Sequence, residues 1–433
     1  MSSMFDLWPF IAVDKLPEDL QKRWWNECFV PNQAYEILKN QPHWAMIVGD
    51  YGSGKTTLLK ALQQDRRAEG NFILDYSAAW QKQSQANSAS MFSNIMSLAA
   101  QGLYYRFRDQ PGLLTRLRPT HKEFLRWLIE KFISARTYRV FLDNLDTELF
   151  NLVLDVPYSD LYPTQTETDD VEGQISELVG LAGIIGYSNV LVFVDTPPFA
   201  SVMQLRTLTN FLGWLEPMHH TGFIVVSALA KSLFDAHEIK TQMRDRVKIV
   251  PLQWTDHSPY EIAARHVAAA TENKVKNLEQ IVSRGLLEKI ERLLKDEFDL
   301  LTPGPLVSIT EIVLSIKAKT PDLEYLDETS FESIRSSFFL QHVPLRLDDH
   351  SEQTGVWRGY RFIPLTAGPY DLLTRLCKSK VLEWGGNVKG DYLNTLASRL
   401  RKAIEPDPAN PIYVKNQRGE GYWLEGIIKS PNS

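Results

Sequence analysis

Short apolar runs alternate with stretches of helical spacing over roughly the first 255 positions. Ala45–Val48, Asn71–Tyr76, Tyr138–Asp143, Asn189–Asp195 and Gly222–Ser227 each read as a strand, because β-branched and aromatic residues crowd into four to seven positions. Between them, Leu58–Leu62, the long stretch from Ser90 to Ala135, the set Ile175, Leu178, Val179 and Leu181, and Val202–Leu215 place apolar residues at three- and four-residue intervals, the period of a helix with one buried face. Strands alternating with helices predict an α/β fold, a mainly parallel sheet covered on both sides. A polar stretch from Pro163 to Asp170 reads as a surface loop.

The pattern then changes twice. From Asp256 to about Lys317 it is helical, interrupted at Thr302-Pro303-Gly304-Pro305, and residues 318–357 mix Pro, Asp and Glu with short apolar pieces, as a connector would. The expected organisation is a helical lead-in over 1–43, an α/β core over 44–255, a helical lid over 256–317, a connector over 318–357 and a small α+β domain over 358–429. The tryptophans of the first segment (Trp8, Trp24, Trp25, with Trp44 just beyond) read as core and packing residues, with base stacking as the alternative.

Composition narrows the class. At 44% hydrophobic and 23% charged the chain has the profile of an ordinary globular protein, and its 433 residues exceed one typical core. Cys28 and Cys377 stand far apart without metal-ligand spacing, so a cytoplasmic location without disulfides is expected, and neither a leader nor a membrane-spanning segment is predicted. The net charge of −6 is uneven: from Arg361 onward 11 Lys/Arg face 7 Asp/Glu, leaving −10 on the remainder. A basic end on an acidic body suits a module that faces nucleic acid, and an ordinary solvated surface equally.

The sharpest chemical signal is Gly49-Asp50-Tyr51-Gly52-Ser53-Gly54-Lys55-Thr56-Thr57, a complete G-x-x-x-x-G-K-[ST] phosphate loop between a strand and a helix. Its glycines let backbone N–H groups turn toward a phosphate, and the following helix adds its positive end. Lys55 can reach the outer phosphates and the Thr56 hydroxyl can ligate Mg²⁺, so ATP and Mg²⁺ are the expected cofactors. A second acidic residue must organise the metal; Asp195 is the first choice and Asp143 the runner-up, with a plain strand end as the other reading of Asp143. After Asp195 comes Thr196, whose hydroxyl cannot serve as a general base near neutral pH, so slow hydrolysis at most is expected.

The order of acidic strand, helix and polar-ended strand resembles the additional-strand class of P-loop ATPases, and the whole resembles a STAND/AAA-like ATPase. That resemblance implies Ser227 as a sensor of the γ-phosphate or attacking water. It also implies Arg246, or else Arg244, as the arginine that reaches a neighbouring copy's nucleotide in a homo-oligomer; a solvated basic turn is the equal alternative. Gly304-Pro305-Leu306 resembles the glycine–proline motif of STAND proteins, whose proline packs by the base or ribose; a plain loop is the other reading.

The C-terminal segment starts at Leu365-Thr366, carries Ser398-Arg399-Leu400-Arg401-Lys402 on an amphipathic helix and ends in the turn Arg418-Gly419-Glu420-Gly421-Tyr422. These features resemble the OmpR-like, response-regulator type of winged helix-turn-helix domain over about the last seventy residues. The resemblance implies that Asn394, Thr395 and Ser398 face base edges or phosphates of double-stranded DNA, while Arg399, Arg401, Lys415 and Arg418 contact phosphates. Only about fifteen residues separate Leu376 from Tyr392, where that family places a positioning helix. Two functions are therefore expected to compete: a nucleotide-controlled switch acting on DNA in transcription regulation, or an ATP-loaded scaffold of a defence or mobile-element complex whose winged helix docks a partner protein.

Overall fold

The computed structural model describes residues 8–40, 44–76, 88–143, 171–196, 222–236, 247–255, 258–298, 301–347, 354–379, 381–382, 390–417 and 420–428, with isolated positions between 209 and 241. By its contacts the chain forms two units, one of Pro31–Asp50 and Gly54–Gln253, the other of Met1–Val30, Tyr51–Ser53 and Trp254–Ser433.

The first unit holds α2 (Gln33–Lys39), β1 (Ala45–Gly49), α3 (Lys55–Ala68), β2 (Phe72–Asp75), α4 (Ser88–Asp109), α5 (Pro119–Phe132), α6 (Ala135–Asp143), α7 (Val171–Ile184), β3 (Val190–Asp195), β4 (Phe223–Ala230), α8 (Lys231–Ala236) and β5 (Lys248–Leu252). The five strands form one parallel sheet in the order β2-β3-β4-β1-β5. One strand, β4, thus lies between β1 and the β3 that ends in Asp195, the order that the resemblance to the additional-strand class implies. β1 is buried throughout, and β3 except at its terminal Asp195, as expected where helices cover both faces of a parallel sheet.

One expectation fails here. Tyr138–Asp143 is not a strand but most of α6, and Asp143 ends that helix exposed. Tyr138, Phe141 and Leu142 also satisfy helical spacing, so the apolar run was ambiguous. The helical stretch expected from 90 to 135 holds two α-helices, divided where Pro111 opens a 3₁₀ turn and Pro119 starts α5, since proline removes an N–H donor. The expected loop at 163–170, and most of the helix at 202–215, lie outside the described residues.

The second unit begins with α1 (Glu18–Glu27), where Trp24 and Trp25 meet edge to face and the Trp24 indole donates to the Pro9 carbonyl at 2.9 Å. The helical stretch expected as a lid holds α9 (Ser258–Ala270), α10 (Arg284–Phe298) and α11 (Pro303–Lys319). The stretch expected as a connector instead contains α12 (Phe331–His342), with Ile334, Phe338 and Phe339 buried, then β6 (Leu345–Leu347) and β7 (Gly355–Arg358). Its polar residues cluster in the turns, which disguised the packed face. Then follow β8 (Arg361–Pro364), α13 (Ala367–Lys378), α14 (Gly390–Ile404), β9 (Val414–Gln417), β10 (Gly421–Leu424) and β11 (Ile427–Ile428). Helices α13 and α14 with the β9–β10 hairpin make a winged helix, preceded by the sheet β11-β6-β7-β8. Leu382 adds a two-way backbone pairing to Tyr422 of the wing. One continuous apolar core runs from Ala263 through Phe338 to Leu400 and Tyr422, so the lid helices, α12 and the winged helix pack as one body.

Candidate nucleotide site and nucleic-acid interface

The phosphate loop leaves β1 at Gly49, level with Ala230 of β4 and Leu252 of β5. Gly54, at φ +90°, caps α3, a backbone shape that glycine adopts without steric cost. The Lys55 ammonium folds back to donate to the Gly49 carbonyl at 2.9 Å and the Asp50 carbonyl at 2.8 Å. Burial pulls its pKa down to about 8, against the opposing fields of Asp195 and Asp50. Thr56 Oγ1 donates to Asp195 Oδ2 at 2.5 Å. Burial raises the Asp195 carboxyl above the usual carboxylate range, and the Thr56 hydrogen bond and Lys55 charge oppose that rise. The two side chains expected to serve the metal thus meet directly, 139 positions apart in sequence.

Two neighbours were not foreseen. Asp75 ends β2 beside β3, and Lys60 of α3 pairs with it at 2.5 Å. Asp75 raises the Asp195 pKa further, while Lys60 lowers it. Its signal was the same as that of Asp195, an apolar strand ending in aspartate, but only the strand order brings the two together.

Ser227 does not fill the sensor position. It lies opposite Val194 and Met46, one residue short of the Asp195 level, fully buried, with its hydroxyl aimed at the Ala45 carbonyl 3.4 Å away. Beyond it β4 ends in Ala228, Leu229 and Ala230, which carry no polar side chain. Thr196 is buried, and both its N–H and hydroxyl donate to the Ala228 carbonyl, so its side chain is committed to the sheet. Arg244 and Arg246 lie outside the described residues.

In the second unit, the loop apex makes its own set of contacts. The Tyr51 carbonyl accepts from Thr302 Oγ1 at 2.9 Å, that of Gly52 from the Gly304 N–H at 2.8 Å, and that of Ser53 from the Trp254 indole at 2.7 Å. Gly52 has φ +69°, and a Cβ there would stand 2.4 Å from Pro305 Cδ; a Cβ on Gly304 would stand 2.8 Å from the Gly52 Cα. The Tyr51 ring stacks on Tyr360. Pro305 therefore packs on the loop backbone itself. With the carbonyls from Gly49 to Ser53 engaged as acceptors, the loop's N–H groups and the buried, unpartnered Ser53 hydroxyl are what it has to offer an anion. That donor set fits a phosphate chain, and Thr56 with Asp195 fits a hard divalent cation. Thr57 is half-buried in the first turn of α3.

On α14, Thr395, Ser398, Arg399 and Lys402 are exposed along one face. Asn394 is half-buried and accepts from the Tyr422 hydroxyl at 2.9 Å. Arg401 turns inward, donating to the Val414 carbonyl at 2.9 and 2.7 Å and to Asn416 Oδ1 at 2.8 Å. Lys415 donates to the Pro411 carbonyl at 2.8 Å. The turn after the helix is pinned by Glu405, a buried carboxylate that accepts from the N–H groups of Ile412, Tyr413 and Val414. Arg418 lies outside the described residues.

No family model matches the chain. The sensory transduction protein RegX3 of Mycobacterium tuberculosis is 35% identical over 107 residues, covering 22% of this chain and 46% of that protein. RegX3 of Mycobacterium leprae is 38% identical over 98 residues, 20% of this chain and 48% of its own length. The chain spans about half the length of the curated relatives it matches. Among solved structures, the Orc1 protein of Aeropyrum pernix in complex with DNA aligns over 92% of this chain and 90% of its own, at 10% identity and a TM-score of 0.38. Among the described residues, no helix is long and apolar enough to cross a membrane.

Proposed function

We propose that this chain is an ATP-binding regulatory switch whose nucleotide state controls DNA binding by the C-terminal winged helix, in transcription regulation. The observation that carries the reading is the convergence of Lys55, Thr56 and Asp195 beside a complete phosphate loop on a sheet of the additional-strand order. Lys55 would hold the terminal phosphates in place of its carbonyl contacts, and Thr56 and Asp195 would hold Mg²⁺, whose charge would screen the phosphates. The loop apex packs within the same unit as the winged helix, through Gly52 on Gly304 and Tyr51 on Tyr360, and this supports transmission of a rearranged loop to that unit. The likeness to proteins of sensory transduction supports a regulatory role. Hydrolysis is slow, since Thr196 is neither a base nor aimed at the nucleotide. Contact with a neighbouring copy through Arg246 belongs to the same reading.

The test is titration of fluorescent duplex DNA with the full chain at two salt concentrations, with and without ATP·Mg²⁺, beside Lys55→Ala. Salt-sensitive binding that needs ATP and vanishes in Lys55→Ala is the expected result. Equal affinity with ATP, ADP and no nucleotide would remove the switch. A second reading, a scaffold whose winged helix docks a partner protein, is favoured by one observation: Asn394, Arg401 and Lys415 are engaged inside the domain. Absence of DNA binding under every condition selects it.

A further inference from the structure

A cleft of about 780 Å³ opens within the second unit, walled by α10, α12, β8 and the turn that follows α14. Most of the charge in its walls is committed. Arg358 pairs with Glu297 and donates to the Ile404 carbonyl. Arg335 pairs with Glu332 and Asp407 and donates to the Asn410 carbonyl. Glu405 serves three backbone N–H groups.

Three cations differ. Lys289 and Arg292 stand one turn apart on α10, and Arg361 opens β8; all three are exposed, and none pairs with a carboxylate among the described residues. On the acidic side only Asp296 is similarly unpaired there. Aromatic surface lies alongside: Phe331, whose ring lies 5.8 Å from Lys289 Nζ, and Phe362.

We propose that this cleft binds a small organic anion, a carboxylate- or phosphate-bearing molecule with a flat apolar body. Arg292 and Arg361 take the anionic group, and Phe331 and Phe362 take the body. The volume lies in the usual range for small-molecule sites. Guanidinium groups match planar or tetrahedral oxyanions by paired hydrogen bonds. An extended polyanion suits the cleft poorly, because five acidic residues line it beside five basic ones. Lying against the turn that follows α14, an occupant would touch the C-terminal end of the helix expected to read DNA, through walls that do not include the phosphate loop.

The test uses phenyl phosphate as probe and isothermal calorimetry on the full chain. Saturable binding is expected, unchanged in Lys55→Ala and weakened about tenfold or more in Arg292→Ala and in Arg361→Ala, the scale of a lost charge-assisted hydrogen bond. Both arginines are exposed and unpaired among the described residues, so circular dichroism should report folded variants; Lys289→Ala is the further check, with a smaller loss. No binding in the millimolar range overturns the site. So does binding abolished by Lys55→Ala yet indifferent to Arg361→Ala, which would place the probe on the phosphate loop. Displacement of the probe by a short DNA duplex would assign the cleft to nucleic acid and overturn it equally.

Discussion

Replacing Arg358 by methionine should cost the second unit about 4 kcal/mol. Its guanidinium leaves β7 and meets Glu297 of α10 in a two-pronged pair, Nε to Oε1 at 3.0 Å and Nη2 to Oε2 at 2.6 Å. Nη1 donates to the carbonyl of Ile404, the last residue of α14, at 3.0 Å. The two side chains are only 8% and 6% exposed, which removes the solvent screening that makes surface pairs nearly worthless. Deleting the cation takes from a buried carboxylate its Arg358 partner, a loss of roughly 3–5 kcal/mol, and leaves a helix-end carbonyl short of a donor for about 1 kcal/mol more, partly offset by relaxation. That is a large share of a typical domain's stability. Urea unfolding followed by far-UV circular dichroism reads the loss as a lower midpoint at unchanged slope. The double variant Arg358→Met/Glu297→Leu removes both charges and should return to within about 2 kcal/mol of the parent. A cost below about 1 kcal/mol for Arg358→Met, or a double variant no better than the single one, would refute the reasoning.

Gly304→Ala puts a methyl 2.8 Å from the Gly52 Cα, against backbone that cannot swing aside, so a loss of about 1–3 kcal/mol and weaker ATP binding are expected in thermal-shift titrations. His266, buried against Trp24, has its imidazole held down to about 4 by burial. Because the folded value lies below the unfolded one near 6.5, its neutral form adds stability that is complete above pH 6.5 and is lost as pH falls toward 4, about 2 kcal/mol by pH 5. Urea midpoints at pH 7 and pH 5 should converge in His266→Asn by that amount. Arg399 and Arg401 should separate: Arg399→Ala keeps stability but weakens DNA binding and lowers the salt slope by about 1, whereas Arg401→Ala, which strips the Val414 carbonyl of its donors, lowers the melting temperature. Fluorescence anisotropy and thermal melts on both variants distinguish the two roles.

Local signals were enough for the α/β class, the phosphate loop and the winged-helix elements, because each rests on contacts a few residues apart. Gly49 to Thr57 is legible since its chemistry is contiguous, and the wing is legible since a hairpin closes on its own turn. The pairing of strands is different in kind. Nothing between Asp75 and Asp195 states that β2 and β3 will lie side by side, yet that register makes Asp75 a neighbour of Asp195. The pairing of β3 with β4 places Ser227 opposite Val194, one step below the level of Asp195, where its hydroxyl belongs to the sheet. Tyr138–Asp143 carried spacing that fits a strand or a helix, and the chain takes the helix there. Arg401 reads in sequence as one more basic residue on a recognition helix; the fold turns it onto Val414 and leaves Arg399 outside. Hydrophobic period and turn chemistry are written in neighbours along the chain, whereas strand order, register and meetings such as that of Thr56 with Asp195, 139 positions away, depend on residues that only the tertiary fold brings together.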